Sequence, residues 1–217
     1  FKQYGVFRLG VVGGSLRVSQ DGGSSILAPQ TTAGIAQGAV RARLLLDQLD
    51  SVHFPRFGWR ASATVHDSTS TLGAADSYTK WDAEGNAVYS FGNHTFNISG
   101  KFGGKHGSNP LPRYDEFQWG GFLQQSGYAT GQLIGEKLDY ARLMYYHRIL
   151  QGSVFEGAYG GISLEAGKVG NPLVPGNPDG LLKSGSVFVA ADSPVGPAYL
   201  GYGRAADGNS SFYFFLG

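Results

Sequence analysis

The stretch TKWDAEGNAVYSFGNHTFNISGKFGG, Thr79–Gly104, decides the fold. Thr79, Trp81, Ala83, Gly85, Ala87, Tyr89 and Phe91 alternate with Lys80, Asp82, Glu84, Asn86, Val88 and Ser90. After Gly92-Asn93 the alternation resumes, with Phe96, Ile98, Gly100 and Phe102 set against Thr95, Asn97, Ser99 and Lys101. A period of two places the sets on opposite faces of a sheet. One face is apolar and aromatic, the other polar and charged, so each face requires its own solvent.

Working outward, the same alternation marks strands at Tyr4–Gln20, Ile35–Leu49, Phe57–His66, Lys137–Leu150, Val154–Ala166, Leu181–Asp192, Ala198–Arg204 and Phe212–Leu216. With the hairpin this makes about ten spanning strands. Phe117–Leu123 is a further strand-like piece, and a bulge is expected at Gly13-Gly14, where the alternation of both sets is lost. No segment holds a helical period over three turns. The links at 21–32, 67–76, 105–131 and 167–180 are long and rich in Gly, Asn, Pro and Ser; those at 50–56, 92–93, 151–153 and 193–197 are short, and 205–211 is intermediate. Long loops on one side and short turns on the other are the rhythm of an outer-membrane barrel. That rhythm assigns the short turns, and both ends of the chain, to the periplasmic side.

Composition supports this class. Charged residues are only 15% of 217, while Gly numbers 35 and aromatics reach 13%, a surface poorer in charge than a water-soluble domain carries. Net charge +1 argues against a nucleic-acid partner, and the absence of Cys removes disulfides and thiolate metal sites. No apolar run is long enough for a spanning helix, a test that says nothing about strands. The opening at Phe1, without Met or a leader, is read as an incomplete N-terminus. The expected fold is therefore all-β: an antiparallel transmembrane barrel domain over 1–217, with membrane lipids as its first partner. A soluble sandwich is the competing reading, but its strands usually run five or six residues, whereas several here exceed ten.

The faces assign residues. Arg41, Arg43, Arg60, Lys80, Asp82, Glu84 and Lys101 fall on the inner side, where a hydrated lumen solvates or pairs them; Arg41/Arg43 and Asp82/Glu84 are expected to form ion pairs. Trp81, Tyr89, Phe91, Phe96 and the group Tyr140, Tyr145, Tyr146 are expected in the interfacial girdles. An arginine at Ile98 should be costly and one at Asn97 tolerated. Chemistry is not expected from this chain: no Gly-x-Ser-x-Gly elbow occurs, and Gly161-Ile162-Ser163-Leu164-Glu165 fails at its last position. Asp21, in Asp21-Gly22-Gly23, reads as a loop residue. His53, His66, His94, His106 and His147 have no metal-ligand spacing, and no phosphate-cradling glycine motif is present, so neither metal nor cofactor is expected.

Three motifs carry a family resemblance. Gly120-Gly121-Phe122 followed by Ser126-Gly127-Tyr128 resembles the in-folded loop of the bacterial surface-antigen barrel superfamily, with Gln125 and Ser126 where that family has Val and Arg. Val187–Gly203, with Pro194-Val195-Gly196-Pro197, resembles its penultimate hairpin, and Phe212–Gly217 its closing strand. Together with Phe54-Pro55-Arg56-Phe57-Gly58, the set is most similar to the C-terminal barrel of bacterial patatin-like phospholipases of the type V secretion class. That resemblance implies an outer-membrane barrel anchoring, and helping to export, an upstream patatin-type lipid hydrolase. In it, Gly120, Gly121, Ser126, Gly127 and Tyr128 belong to a loop folded into the lumen. A general translocation or assembly barrel, a diffusion porin and a soluble carbohydrate-binding sandwich are the alternatives. Closure of the barrel by the chain alone, by a homodimer or by upstream strands stays open.

Overall fold

The computed structural model describes residues 5–17, 34–150, 157–173, 178, 180–193 and 196–217. Among these residues every regular element apart from two single-turn 3-10 segments is a strand: β1 (Gly5–Leu16), β2 (Ile35–Asp47), β3 (Phe57–Ser68), β4 (Tyr78–Phe91), β5 (His94–His106), β6 (Phe117–Trp119), β7 (Leu133–Leu150), β8 (Gly157–Pro172), β9 (Leu182–Ser193), β10 (Gly196–Ala205) and β11 (Ser210–Leu216). Ten form one antiparallel meander in chain order, and β6 pairs with β7 off that path. Among the described residues neither β1 nor β11 has a second neighbour, so the sheet is a partial barrel, open at both edges. Most spanning strands run 10 residues or more, enough to cross a bilayer at a tilt.

The alternating hairpin of Thr79–Gly104 is β4–β5, in unbroken register from Thr79↔His106 to Phe91↔His94. Gly92, at φ +57°, makes its turn. Cross-strand partners share a face, so the register carries the face assignment from strand to strand. Ala87 faces Ile98, which faces Leu143; Arg43 faces Thr64, which faces Asp82. The outer face is open and apolar: Ile98 is 60% exposed, Leu164 65% and Phe212 82%. The inner face holds the buried core, in two clusters. One gathers Tyr78, Phe117, Trp119, Tyr128, Leu133, Leu138 and Tyr140; the other gathers Phe54, Tyr146, Phe188 and Ala190. Side chains that meet only one another lie inside, and those left to a second solvent lie outside, as a membrane barrel requires.

Several boundaries differ from the pattern-based expectation. Register is continuous through Gly13↔Gly38 and Gly14↔Gln37, so there is no bulge there; glycine has no side chain with which to show alternation, and its silence mimicked a slip. An irregularity lies instead between Arg148 and Leu150. β7 starts at Leu133 and β8 continues to Pro172, because glycines at 135, 167 and 170 interrupt the hydrophobic pattern without interrupting the ladder. The expected strand at Phe117–Leu123 ends at Trp119, since Gly120 and Gly121 turn the chain at φ +110° and +113°. Tyr140 and Tyr146 are 4% and 3% exposed on the inner face and do not join a girdle. Tyr145 does face outward. It packs on Phe96, which stacks on Phe91.

The in-folded loop as candidate functional site

Between β5 and β7 the chain does not stay outside the barrel. β6 hairpins onto the start of β7 through Phe117↔Gly135 and Trp119↔Leu133, and residues 120–132 are laid onto the inner face. The descent begins at Gly120-Gly121, where a side chain at Gly120 would come within 2.6 Å of the Ala129 carbonyl oxygen. A reverse turn follows, closed by Gln124 N–H donating to the Gly121 carbonyl (3.1 Å). Leu123 and Gln125 adopt positive φ values of 58° and 75°, which is unusual for residues with side chains and is held here by the surrounding contacts.

Ser126 sits at the bottom of the loop with no exposed surface. Its backbone N–H donates to Glu165 Oε2 at 2.6 Å and its hydroxyl to Glu165 Oε1 at 2.7 Å. Glu165, on β8, is itself 4% exposed and accepts further hydrogen bonds from Ser163 (2.5 Å) and Ser184 (3.3 Å). A carboxylate taken out of water is costly unless its lone pairs are occupied, and four donors occupy them here. Ser126 and its neighbours therefore hold the loop at the position where the family resemblance places an arginine. Each bond to the carboxylate is of the stronger, charge-assisted kind.

The remaining ties spread over the neighbouring strands. Tyr140 Oη and Arg142 Nη1, both on β7, donate to the Leu123 carbonyl at 2.8 Å each. Gly127 N–H donates to Tyr213 Oη (2.9 Å), which donates in turn to the Tyr128 carbonyl (2.9 Å). Tyr128 is 1% exposed and its hydroxyl donates to Asp207, in the β10–β11 turn, at 2.5 Å. That bond holds the Asp207 carboxyl below its ordinary value. Burial, followed by the same bond, pushes the Tyr128 phenol up. Phe122 packs against Phe188, Tyr199 and Tyr213. Gly201 and Gly203 on β10 make room for the loop: a side chain there would come within 2.6 Å of Phe122 Cε2 and Ser126 Cβ respectively. Gly120, Gly121, Ser126, Gly127 and Tyr128 thus come together in one anchored plug.

The inner-face charges are arranged differently from expectation. Lys101 pairs with Glu84 at 3.6 Å, Arg60 with Asp47 at 3.6 Å, and Lys80 with Asp115 of the loop at 2.9 Å. Lys80 also lies 4.5 Å from the Phe117 ring centroid. Among the described residues neither Arg41 nor Arg43 forms an ion pair. The expected pairing of Arg41/Arg43 with Asp82/Glu84 is therefore absent: Glu84 is taken by Lys101 on the next strand, and Arg43 faces Arg8. Arg41, Arg43, His66, Lys80 and Asp82 line a polar cavity of about 310 Å³. The described residues hold no cluster of three metal-ligating side chains. The histidines disperse: His53 meets Asp192 (3.3 Å), His94 Nδ1 meets Tyr145 Oη (2.7 Å) and His66 is nearly buried. Asp21 lies outside the described residues.

Glu165, Tyr213 and Asp207 are the site residues that sequence reading missed. Glu165 shows itself only as an acidic residue on the inner parity of β8, level with inward-facing serines on β8 and β9. That signal becomes legible once the register Glu165↔Ser184 is known.

An open meander with an apolar exterior, a polar interior and a loop pinned inside defines an outer-membrane β-barrel of the kind that carries an internal plug. The Omp85 superfamily domain matches residues 36–217, and the chain belongs to that superfamily. Among solved structures it is similar to BamA from Haemophilus ducreyi lacking POTRA domains 1–3, at 15% identity and a TM-score of 0.68, over 88% of this chain and 45% of that one. The chain thus spans under half the length of that structure. No curated protein matches it significantly.

Proposed function

We propose that this barrel holds a polypeptide domain at the outer membrane, a patatin-type lipid hydrolase in the reading its motifs favour, and assists that domain's export. The observation that carries the proposal is the plug. A loop bonded to β7, β8 and β11 and to the β10–β11 turn suits an occluded anchor better than an open diffusion porin. Among the described residues the outer edges of β1 and β11 are unpaired, which favours a larger barrel, completed by strands elsewhere in the polypeptide or by a second copy of the chain. A second reading is a general assembly or translocation barrel, and the similarity in fold to BamA favours it.

Depletion of the intact protein from cells separates the two. Loss of surface-exposed lipid-hydrolase activity with normal levels of other outer-membrane barrels supports the anchor. A general fall in those barrels, with no hydrolase activity travelling with the protein, overturns it in favour of assembly. Cross-linking of the intact protein in membranes distinguishes a dimer from a single-chain barrel.

A further inference from the structure

The link between β2 and β3 does something the loop rhythm does not predict for a short turn. Its base is an ordinary hairpin end: Gln48 N–H donates to the Trp59 carbonyl, and Asp50 Oδ1 accepts from the N–H groups of Arg56 and Phe57. Its tip, His53-Phe54-Pro55, folds into the barrel interior. Phe54 is only 7% exposed, whereas Val52 beside it is 89% exposed. The Phe54 ring stacks on Tyr159 of β8, with centroids 4.2 Å apart and planes within 10°. It also packs on Tyr199 of β10 and meets Tyr146 of β7 edge-on. Tyr146 Oη donates to the Pro55 carbonyl at 2.5 Å, and His53 Nδ1 lies 3.3 Å from Asp192 Oδ1 at the end of β9.

In the sheet order, β4 and β5 separate the link from the first of these strands. The tip therefore crosses the interior rather than resting on its own hairpin. On its inner side lies a cavity of about 210 Å³ lined by Phe54, Asn97, Arg142, Met144 and, from the in-folded loop, Leu123. The interior is thus covered twice, by the loop from the long-loop end and by the link from the short-turn end. The two covers are built differently. The loop is tied through buried charge-assisted bonds to Glu165, whereas the link is held by ring contacts, the Tyr146 bond to the Pro55 carbonyl, an exposed bond from Arg56 Nη2 to the Gly92 carbonyl (2.6 Å) and a partly exposed His–Asp contact. No sheet hydrogen bond breaks when the tip leaves, which places it among the segments that open most easily.

We infer that residues 53–55 form a strap across the short-turn mouth of the barrel, seated in the aromatic box of Tyr146, Tyr159 and Tyr199, and that passage between the periplasmic side and the interior requires the strap to swing out. The inference holds for either reading of function above and is read without a hydrolase or assembly assay.

The test is ionic conductance of the intact protein in planar bilayers. Phe54→Ala removes the ring from its box and is expected to raise conductance several-fold. Phe54→Leu keeps apolar bulk and should give an intermediate rise. The chain has no cysteine, so His53→Cys combined with Asp192→Cys, bridged by a bis-methanethiosulfonate spacer, offers a reversible lock: bridging should lower conductance below that of the unbridged pair, and reduction should restore it. Unchanged conductance in both Phe54 variants, with heat-modifiable mobility showing that they are folded, overturns the strap. If Phe54→Ala does not fold, equal currents for Phe54→Leu and the parent, together with equal currents in the spacer-bridged and reduced cysteine pair, overturn it as well.

Discussion

Replacing Ile98 by arginine puts the solvent assignment of the outer face to a direct test. Ile98 is 60% exposed on that face, with Ala87 opposite it on β4 and Leu143 on β7. It lies two residues from Phe96, which belongs to the aromatic group at the turn end of the hairpin. A strand rising ~3.3 Å per residue at a tilt near 40° advances ~2.5 Å in depth per residue. Ile98 therefore lies ~5 Å inside that girdle, in an apolar band ~25 Å tall. Arginine costs about 2–4 kcal/mol at the midplane and at most about 1 at the interface, so about 2 kcal/mol is expected at this depth. Losing the apolar contact of a largely lipid-exposed isoleucine adds about 1 kcal/mol.

The total, about 3 kcal/mol, corresponds to roughly a hundredfold shift in the folding equilibrium. Urea titration of folding into phospholipid vesicles, read by tryptophan fluorescence and heat-modifiable mobility, measures it. The inner-face comparison is Ser99→Arg, which projects into a cavity of about 310 Å³ lined by Glu84 but also by Arg60, Lys101 and Arg142, the last directly opposite it, and should cost about 1 kcal/mol. Asn97, the inner neighbour that alternation alone suggests, is 3% exposed and lines the smaller cavity of about 210 Å³ beside Arg60 and Arg142, so an arginine there finds space but meets like charge. Equal costs at 98 and 99 would refute the assignment of lipid to the outer face.

Further predictions concern the plug. Glu165→Ala strips the acceptor from Ser126 and Ser163 and should cost about 2–4 kcal/mol; limited proteolysis should then cut within residues 120–132, with Glu165→Gln cut more slowly. Gly127→Ala places a methyl 2.5 Å from the Ala205 backbone nitrogen at φ +105°. Strain of about 1–3 kcal/mol before any clash should lower the urea midpoint, whereas Gly208→Ala, at a similar φ but in open space, should carry the strain alone. The Tyr128–Asp207 bond sets a pH dependence. Because the folded Asp207 carboxyl lies below its ordinary value of 3.8, its contribution is fully present above that pH and is lost as pH falls through the folded value. Loop protection from proteolysis by an acid-active protease should therefore decline below pH 3.8, and Tyr128→Phe should remove that step.

Alternation by itself fixed the solvent of each face, because a period of two leaves no freedom once one face is apolar. The chain's strand succession, its two-residue turn at Gly92-Asn93 and its membership of a barrel class were all legible on that basis. Gly120-Gly121 and Ser126-Gly127-Tyr128 were legible only through the family resemblance; the structure adds the reason for the glycines, whose backbone turns to positive φ where the loop dives. Tertiary structure alone decided what the loop rests on. Glu165 is hidden in the sequence as one acidic residue among many, and only the β8–β9 register gathers the serines around it. Tyr140 and Tyr146 likewise look like girdle aromatics until their parity is joined to the loop and link that bury them. Phe54 looked like a turn residue, because nothing local announces that a short link will cross a barrel. The division has one physical cause: facing is set by neighbours one and two residues away, whereas partnership across an interior is set by curvature and register accumulated over the whole sheet.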